Sequence, residues 1–175
     1  MDDPEERFTV LYDRHYRNVL GYALLRAEQS IAEDLVSETF LVAWRRLDEL
    51  PDPPLPWLLG VTRNLLRNQR VRRLRGDELI ARLGRASTFV EGDVAERVET
   101  RQEALAVLAC LREQDIEAVV LASWYGLTPA QAAQAVGCSP RTYNVRLHRA
   151  RRRLADVLGR KHSFLSIQGH IQEQT

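Results

Sequence analysis

The sequence predicts an all-α fold of two small helical domains joined by a flexible linker, the C-terminal domain being a helix-turn-helix. Apolar residues recur at spacings of three and four in both halves of the chain, and no segment alternates as a strand would. Between residues 76 and 95 this periodicity weakens, and glycine, serine and threonine become frequent. With 175 residues, 45% of them hydrophobic, the chain can build two modest cores.

Two amphipathic helices are predicted at the start of the chain. The first carries an apolar stripe from Phe8 to Leu24, and Pro4 suits its first turn. The second is predicted to open with a capping box, Ser30-x-x-Glu33, and its apolar stripe runs from Ala32 to Leu47. His15 falls on the first stripe, which indicates a core histidine.

A proline-rich loop, "LPDPPLP" at residues 50–56, must end the second helix. A third helix then starts near Trp57 and runs into "RNLLRNQRVRRLR", residues 63–75, which holds six arginines and no acid. Arg63, Arg67 and Arg70 share one helical face. Cations beside an aromatic residue and an irregular loop suit single-stranded nucleic acid, because arginine meets phosphate and bases stack or enter a pocket. The alternatives are a solvated basic face and ordinary core packing of Trp57.

The second helix is predicted to turn a polar face outward. Acidic residues are concentrated at 28–38, and a leucine lies on the same face. This arrangement indicates a docking surface for a basic partner helix, although single exposed leucines are common. The predicted docking residues are Asp34, Ser37, Glu38, Leu41 and Arg45.

The segment at 127–158 predicts a helix-turn-helix. Thr128, with Gln131, forms a capping box, Gly137 supplies a left-handed stop, and Ser139 caps the next helix. Tyr143, Leu147 and Ala150 should face inward. The outer face suits a DNA major groove, with Arg151 to Arg153 on phosphates. The alternative is a helical hairpin with a solvated basic face. The predicted base-reading residues are Arg141, Asn144, Val145, His148, Arg149 and Arg152.

Charge and composition exclude several classes of protein. The net charge of +1 hides basic blocks at 63–75 and 141–161 and acidic stretches elsewhere. Two separated cysteines and four scattered histidines offer no metal site and no catalytic arrangement, so we expect neither an enzyme nor a cofactor. No apolar run reaches transmembrane length, and the N-terminus lacks signal-peptide character. The sequence therefore predicts a soluble, cytoplasmic protein without direct membrane insertion.

Two groups of motifs carry a family resemblance. "AEDLVSETFLVAWRRL", at 32–47, followed by "PWLLGVTRNLLRNQRVRRLR", at 56–75, resembles the second conserved region of extracytoplasmic-function (ECF) sigma factors. "LTPAQAAQAVGCSPRTYNVRLHRARRRL", at 127–154, resembles their fourth region. The resemblance covers most of residues 7–158, in the family's order, with a linker between the two regions.

The resemblance implies a promoter-recognition subunit with core RNA polymerase, promoter DNA and an anti-sigma factor as partners, and with no small-molecule substrate. Its domains would be region 2 at 5–75, a linker at 76–95 that threads towards the polymerase active-site cleft, region 4 at 96–160, and a disordered tail at 161–175. The second helix would dock on the coiled coil of the largest catalytic subunit. The proline loop would take a flipped base. The implied minus-ten residues are Trp57, Arg63, Asn64, Arg67 and Arg70, and the base-reading set of the helix-turn-helix would contact the minus-thirty-five element.

The sequence also departs from the family's pattern. Where relatives usually have glycine, a basic residue and a small polar residue, this chain has Arg141, Asn144 and Val145. The promoter sequence of relatives is therefore not transferable. The rival reading is a helix-turn-helix regulator that binds operators as a dimer. Such a regulator binds duplex DNA unaided, whereas a sigma factor acts with core polymerase.

Overall fold

Six α-helices and one short 3₁₀ turn make up the described residues, 3–82 and 112–172 of a computed structural model. Side chains are described for 3–71 and 112–158. The chain divides into two compact units. The first is built on three helices, α1 to α3, and the second on α4 and α6, with α5 between them in the chain. No strand occurs within the described ranges, in agreement with the predicted all-α class.

The first unit packs three helices against one another. They are α1 (Pro4–Leu24), α2 (Gln29–Arg45) and α3 (Leu55–Arg82), with a 3₁₀ turn at Leu47–Glu49. Pro4 occupies the first turn of α1 as predicted, and the Asp3 carboxylate caps that helix by accepting from the Glu5 amide at 3.1 Å.

The core of the first unit is aliphatic and aromatic. Its buried cluster is Leu11, Val19, Val36, Phe40, Ala43 and Leu58. His15 is also buried, as predicted. The Thr39 and Thr62 hydroxyls lie 3.1 Å apart at a fully buried crossing of α2 and α3, which satisfies polar groups that would otherwise be costly in this core.

Two sequence predictions about α2 are wrong. The helix begins at Gln29 with Glu28 as its cap residue, so Ser30 lies inside the helix and caps nothing. The cause is local: the Ala27 amide returns to the Ala23 carbonyl to close α1, and the Glu28 carbonyl already accepts from Ala32 at 2.8 Å. Trp44 falls on the predicted apolar stripe from Ala32 to Leu47, but its side chain is 42% exposed.

The second unit contains α4 (Glu113–Ser123) and α6 (Pro140–Gln172), which pack against each other, and α5 (Pro129–Val136) precedes the turn into α6. Both intervening turns use a left-handed glycine, Gly126 at φ +60° and Gly137 at φ +69°. Tyr143, Leu147 and Ala150 are buried on α6, which confirms the predicted inner face.

The long helices α3 and α6 cross two predicted boundaries. The α3 backbone continues to Arg82, past the predicted end of the first domain at 75, and α6 continues to Gln172, across most of the predicted tail. Most of the predicted linker lies outside the described residues. Among the described helices, none is long and apolar enough to cross a membrane.

Candidate nucleic-acid interface

The second helix of the helix-turn-helix, α6, separates a buried face from an exposed one. The buried face holds Tyr143, Leu147 and Ala150, at spacings of three and four. All six predicted base-reading residues lie on the exposed part of the helix, and Val145 is 44% exposed. An exposed helical face carrying arginine, asparagine and histidine can enter a major groove and meet base edges.

Local capping chemistry fixes the starts of α5 and α6. The Thr128 amide donates to Gln131 Oε1 at 2.9 Å, and the Gln131 amide donates to Thr128 Oγ1 at 3.3 Å, so the predicted capping box is confirmed. The Ser139 hydroxyl accepts from the Thr142 amide at 3.1 Å, which confirms the second predicted cap. The Ser139 cap and the left-handed φ of Gly137 define where α6 begins.

A buried tyrosine ties α6 to α4. Tyr143 is fully buried, and its hydroxyl donates to the Ala118 carbonyl at 2.7 Å. Burial raises the pKa of Tyr143 to about 12, because the phenolate would lose its hydration there. This bond is directional, so it holds the rotation of α6 about its axis as well as its distance from α4.

A groove of about 440 Å³ lies between the start of α4 and the flank of α6. Five arginines line it, Arg112 on α4 and Arg141, Arg146, Arg149 and Arg153 on α6, together with Asp115. Asp115 is 4% exposed and forms an ion pair with Arg153, whose side chain is half-buried. The sequence predicts Arg153 on phosphate, but it does not indicate that Arg112 and Arg146 line the same groove. Their grouping depends on the packing of α4 on α6, which no local pattern reveals.

The basic face of α3 is largely exposed. Asn64, Arg67 and Arg70 are exposed, and Arg63 is partly buried. Trp57 is partly buried and packs against the core cluster, so core packing accounts for part of its surface. The structure thus brings three of the five predicted minus-ten residues to the surface and leaves Trp57 and Arg63 at the edge of the core.

The 3₁₀ turn that precedes the proline loop is fastened to α1. Arg7 Nη1 donates to Asp48 Oδ1 at 2.8 Å, and Arg7 Nη2 donates to the Leu47 carbonyl at 3.3 Å. A cavity of about 470 Å³ lies between α1 and the loop, with His15 among its lining residues. Burial, aided by Arg14, lowers the pKa of His15, and its Nδ1 has no hydrogen-bond partner among the described residues.

The predicted docking face of α2 is exposed in full. Asp34, Ser37, Glu38, Leu41 and Arg45 are all at the surface, and Leu41 is 56% exposed. Trp44 adds to this face an exposed ring that the sequence did not predict there. The ring packs edge-on against Phe8, with the two centroids 5.1 Å apart. Trp44 follows Leu41 by three residues, and this spacing, which places both on one face of a helix, is the sequence signal that could have identified it. Within the described residues, no cluster of three or more potential metal ligands occurs.

Two family models match the chain. The Sigma-70 region 2 model matches residues 11–76, and the Sigma-70, region 4 model matches residues 101–154. The ECF RNA polymerase sigma factor SigL of Mycobacterium tuberculosis H37Rv is 32% identical over 152 residues, covering 83% of this chain and 85% of SigL. The chain belongs to the ECF RNA polymerase sigma factors. As a sigma factor it directs transcription initiation at promoters, and the operator-binding regulator is not favoured.

Other relatives of this sigma factor agree. RfaY of Xanthomonas campestris, a probable RNA polymerase sigma factor, is 34% identical over 128 residues, covering 69% of this chain, which spans only 32% of RfaY's length. The solved structure of CnrH in complex with the cytosolic domain of CnrY matches with a TM-score of 0.59 and 26% identity, covering 87% of each chain. The all-α class and the order of region 2 before region 4 are therefore confirmed.

Proposed function

We propose that this sigma factor acts in the cytoplasm and docks on core RNA polymerase through the α2 face formed by Asp34, Ser37, Glu38, Leu41 and Arg45. Carboxylates around an exposed leucine suit a basic partner helix, since the apolar contact supplies affinity and the charges supply orientation. The chain contributes recognition and no catalysis of its own. The chemistry of polymerisation belongs to the core enzyme, and no cofactor is required of the sigma factor.

The exposed face of α6 reads the minus-thirty-five element as duplex DNA. Arg141, Asn144, Val145, His148, Arg149 and Arg152 lie opposite the buried face, which supports their contact with the major groove. Arginine pairs with guanine and asparagine with adenine through two hydrogen bonds each. The three departures at positions 141, 144 and 145 give this factor a promoter preference of its own.

The first unit recognises the minus-ten element as it melts. Trp57, Arg63, Asn64, Arg67 and Arg70 lie along the start of α3, next to the proline loop, and a flipped base enters the pocket at that loop. Arginines on α3 hold the phosphates of the non-template strand, and the unstacked base gains contacts that duplex DNA cannot offer. The proposed domains are region 2 at 5–75, a linker at 76–95, region 4 at 96–160 and a tail at 161–175.

One observation carries the docking proposal. The α2 face exposes Leu41 by 56% and Trp44 by 42%, beside two carboxylates. A protein that only bound DNA would gain nothing from an acidic, apolar surface, because phosphate repels carboxylate. The face therefore supports a protein partner.

We also propose an anti-sigma protein as a regulator of this factor. CnrH, similar to this chain, is solved in complex with the cytosolic domain of CnrY. An inhibitor that covers the α2 face would prevent docking on core polymerase without touching DNA.

The deciding experiment is run-off transcription with purified core RNA polymerase, with and without the full chain, on DNA selected from a random library by the holoenzyme. We expect defined start sites only when the chain is present. The proposal fails if the chain programmes no start site and instead binds duplex operators tightly without the polymerase.

A further inference from the structure

We propose that the groove between α4 and α6 binds one backbone phosphate of the upstream promoter duplex, held from opposite walls by Arg112 and Arg146. This inference rests on the proposed contact of α6 with the minus-thirty-five element and assigns a site outside the base-reading set. The ligand is a phosphodiester of duplex DNA.

The charge of the groove favours an anion. Its lining includes five arginines and one carboxylate, Asp115, among the described residues. Asp115 is almost fully buried and already engaged by Arg153, so it presents little negative potential to the cavity. The remaining guanidinium groups face a concave space of about 440 Å³, which is roomy enough for a phosphate and open to solvent on one side. Guanidinium groups match phosphate oxygens with paired N–H donors.

The groove also lies where a DNA strand has to pass. Thr142, Arg146, Arg149 and Arg153 follow one another at spacings of three and four, along the flank of α6 that turns towards α4. When a recognition helix enters a major groove, its flanks approach the sugar-phosphate backbone, and a neighbouring helix commonly contacts that strand. The DNA strand beside α6 would therefore meet the arginines that line this groove.

Arg112 is the residue that makes this a two-walled site. It is the cap residue of α4, exposed and in extended conformation, and its side chain lines the groove. Its carbonyl accepts from the Asp115 amide at 2.8 Å, which fixes its backbone next to the Asp115–Arg153 pair. A phosphate bound by both Arg112 and Arg146 would link α4 and α6 at the surface, as the Tyr143 hydrogen bond links them in the core.

The test couples a protein substitution to a single phosphate. Holoenzyme binding is measured on promoter duplexes that carry one neutral methylphosphonate at each upstream position in turn. With unmodified DNA, we expect Arg112→Ala to weaken binding by about three- to tenfold and to lower the slope of log affinity against log salt by about 1. At one methylphosphonate position, wild type and Arg112→Ala should bind equally, because the partner of Arg112 has been removed.

Two control variants sharpen the test. Arg112→Lys keeps the charge and should retain part of the affinity. Arg151→Ala removes an exposed arginine of α6 that does not line the groove, and it should show no coupling at the phosphate that Arg112 senses.

The possible failures are separable. If wild-type holoenzyme does not bind the selected promoters, the proposed function fails. If it binds normally but Arg112→Ala still weakens binding at every methylphosphonate position, the proposed phosphate site is wrong. If Arg112→Ala weakens association with core polymerase and leaves DNA binding intact, the groove serves a protein carboxylate, which also overturns the proposal.

Discussion

The two units of this sigma factor hold their helices together by different means. In the first unit, large rings pack across α1 and α2, with centroids 4.7 Å apart for Tyr12 and Phe40 and 5.1 Å apart for Phe8 and Trp44. In the second, Ala118 is fully buried on α4 and its carbonyl accepts from the Tyr143 hydroxyl, so a directional bond completes the contact of α4 with α6. Apolar packing fills volume, whereas hydrogen bonds and ion pairs fix orientation.

This difference matches the proposed role of each surface. In the first unit, apolar packing reaches the surface at Trp44, so the core and the proposed docking face share one cluster of rings. In the second unit, the core and the proposed base-reading residues lie on different faces of α6, and Tyr143 and the Asp115–Arg153 pair hold that helix against α4. Base readout demands accurate placement of donors, and directional ties supply it.

The largest effect should come from emptying the first core. Phe40→Ala removes a buried ring that contacts Phe8 and Tyr12, and we expect a loss of about 3–5 kcal/mol in the unfolding free energy of that unit. Amide hydrogen exchange should accelerate in α1 to α3 and stay unchanged in α4 and α6. The exposed control Val10→Ala should cost less than about 0.5 kcal/mol. Equal acceleration in both units would show that they are not independent.

The docking face should give the next largest effect. Asp34→Arg with Leu41→Ala reverses a charge and truncates the exposed leucine, and we expect core-polymerase affinity to fall by about ten- to a hundredfold, or roughly 1.4–3 kcal/mol. The matched control on α1, Asp13→Arg with Val10→Ala, makes the same chemical changes on another exposed surface. Unchanged co-purification of the α2 variant with core polymerase would remove the docking proposal.

The minus-ten surface should affect melting more than initial binding. Trp57→Phe retains most of the packing of this half-buried ring, and Arg67→Ala removes an exposed cation. Together they should reduce promoter opening by about 1–3 kcal/mol, since stacking and phosphate contacts form only with the separated strand. Permanganate reactivity of unpaired thymines measures opening, and the gel shift of closed complexes is the control. Normal permanganate reactivity would contradict the assignment.

The reading helix should show sequence-dependent effects. Arg149→Ala should lose about 1–3 kcal/mol of discrimination between the selected upstream element and a scrambled one. Arg151→Ala, outside the predicted reading set, should weaken both templates equally. The base-reading assignment fails if wild-type holoenzyme transcribes equally from selected and scrambled upstream elements.

The sequence predicted local features of this fold well and long-range pairs poorly. The caps at Thr128 and Ser139 and the left-handed Gly137 depend on neighbours within four residues, so their chemistry is visible in the sequence. The ion pairs Asp115–Arg153 and Arg7–Asp48 join residues 38 and 41 positions apart. No periodicity encodes those partners, because they depend on how the helices pack.

The wrong predictions for Trp44 and Ser30 have the same physical cause. Trp44 continues the apolar spacing of α2, but Phe8 packs against it, and the Trp44 ring lies partly exposed at the edge of the core. Ser30 has the chemistry of a cap, but the close of α1 sets where α2 begins. In each case a tertiary constraint overrode a correct local preference.

The smallest predicted effect tests the directional ties of the second unit. Tyr143→Phe removes the 2.7 Å bond to the Ala118 carbonyl and should lower the unfolding free energy by about 1 kcal/mol at pH 8. The neutral phenol is favoured in the fold, because burial raises the pKa of Tyr143 to about 12, while the unfolded chain ionises near pH 10. The stability that Tyr143 contributes is therefore full below pH 10 and is lost as the pH rises from 10 towards 12. The urea midpoint of the wild type should fall to that of Tyr143→Phe within that interval and then below it, because two pKa units correspond to about 2.7 kcal/mol. A constant difference would mean that the tyrosine hydroxyl is not held in a dry contact.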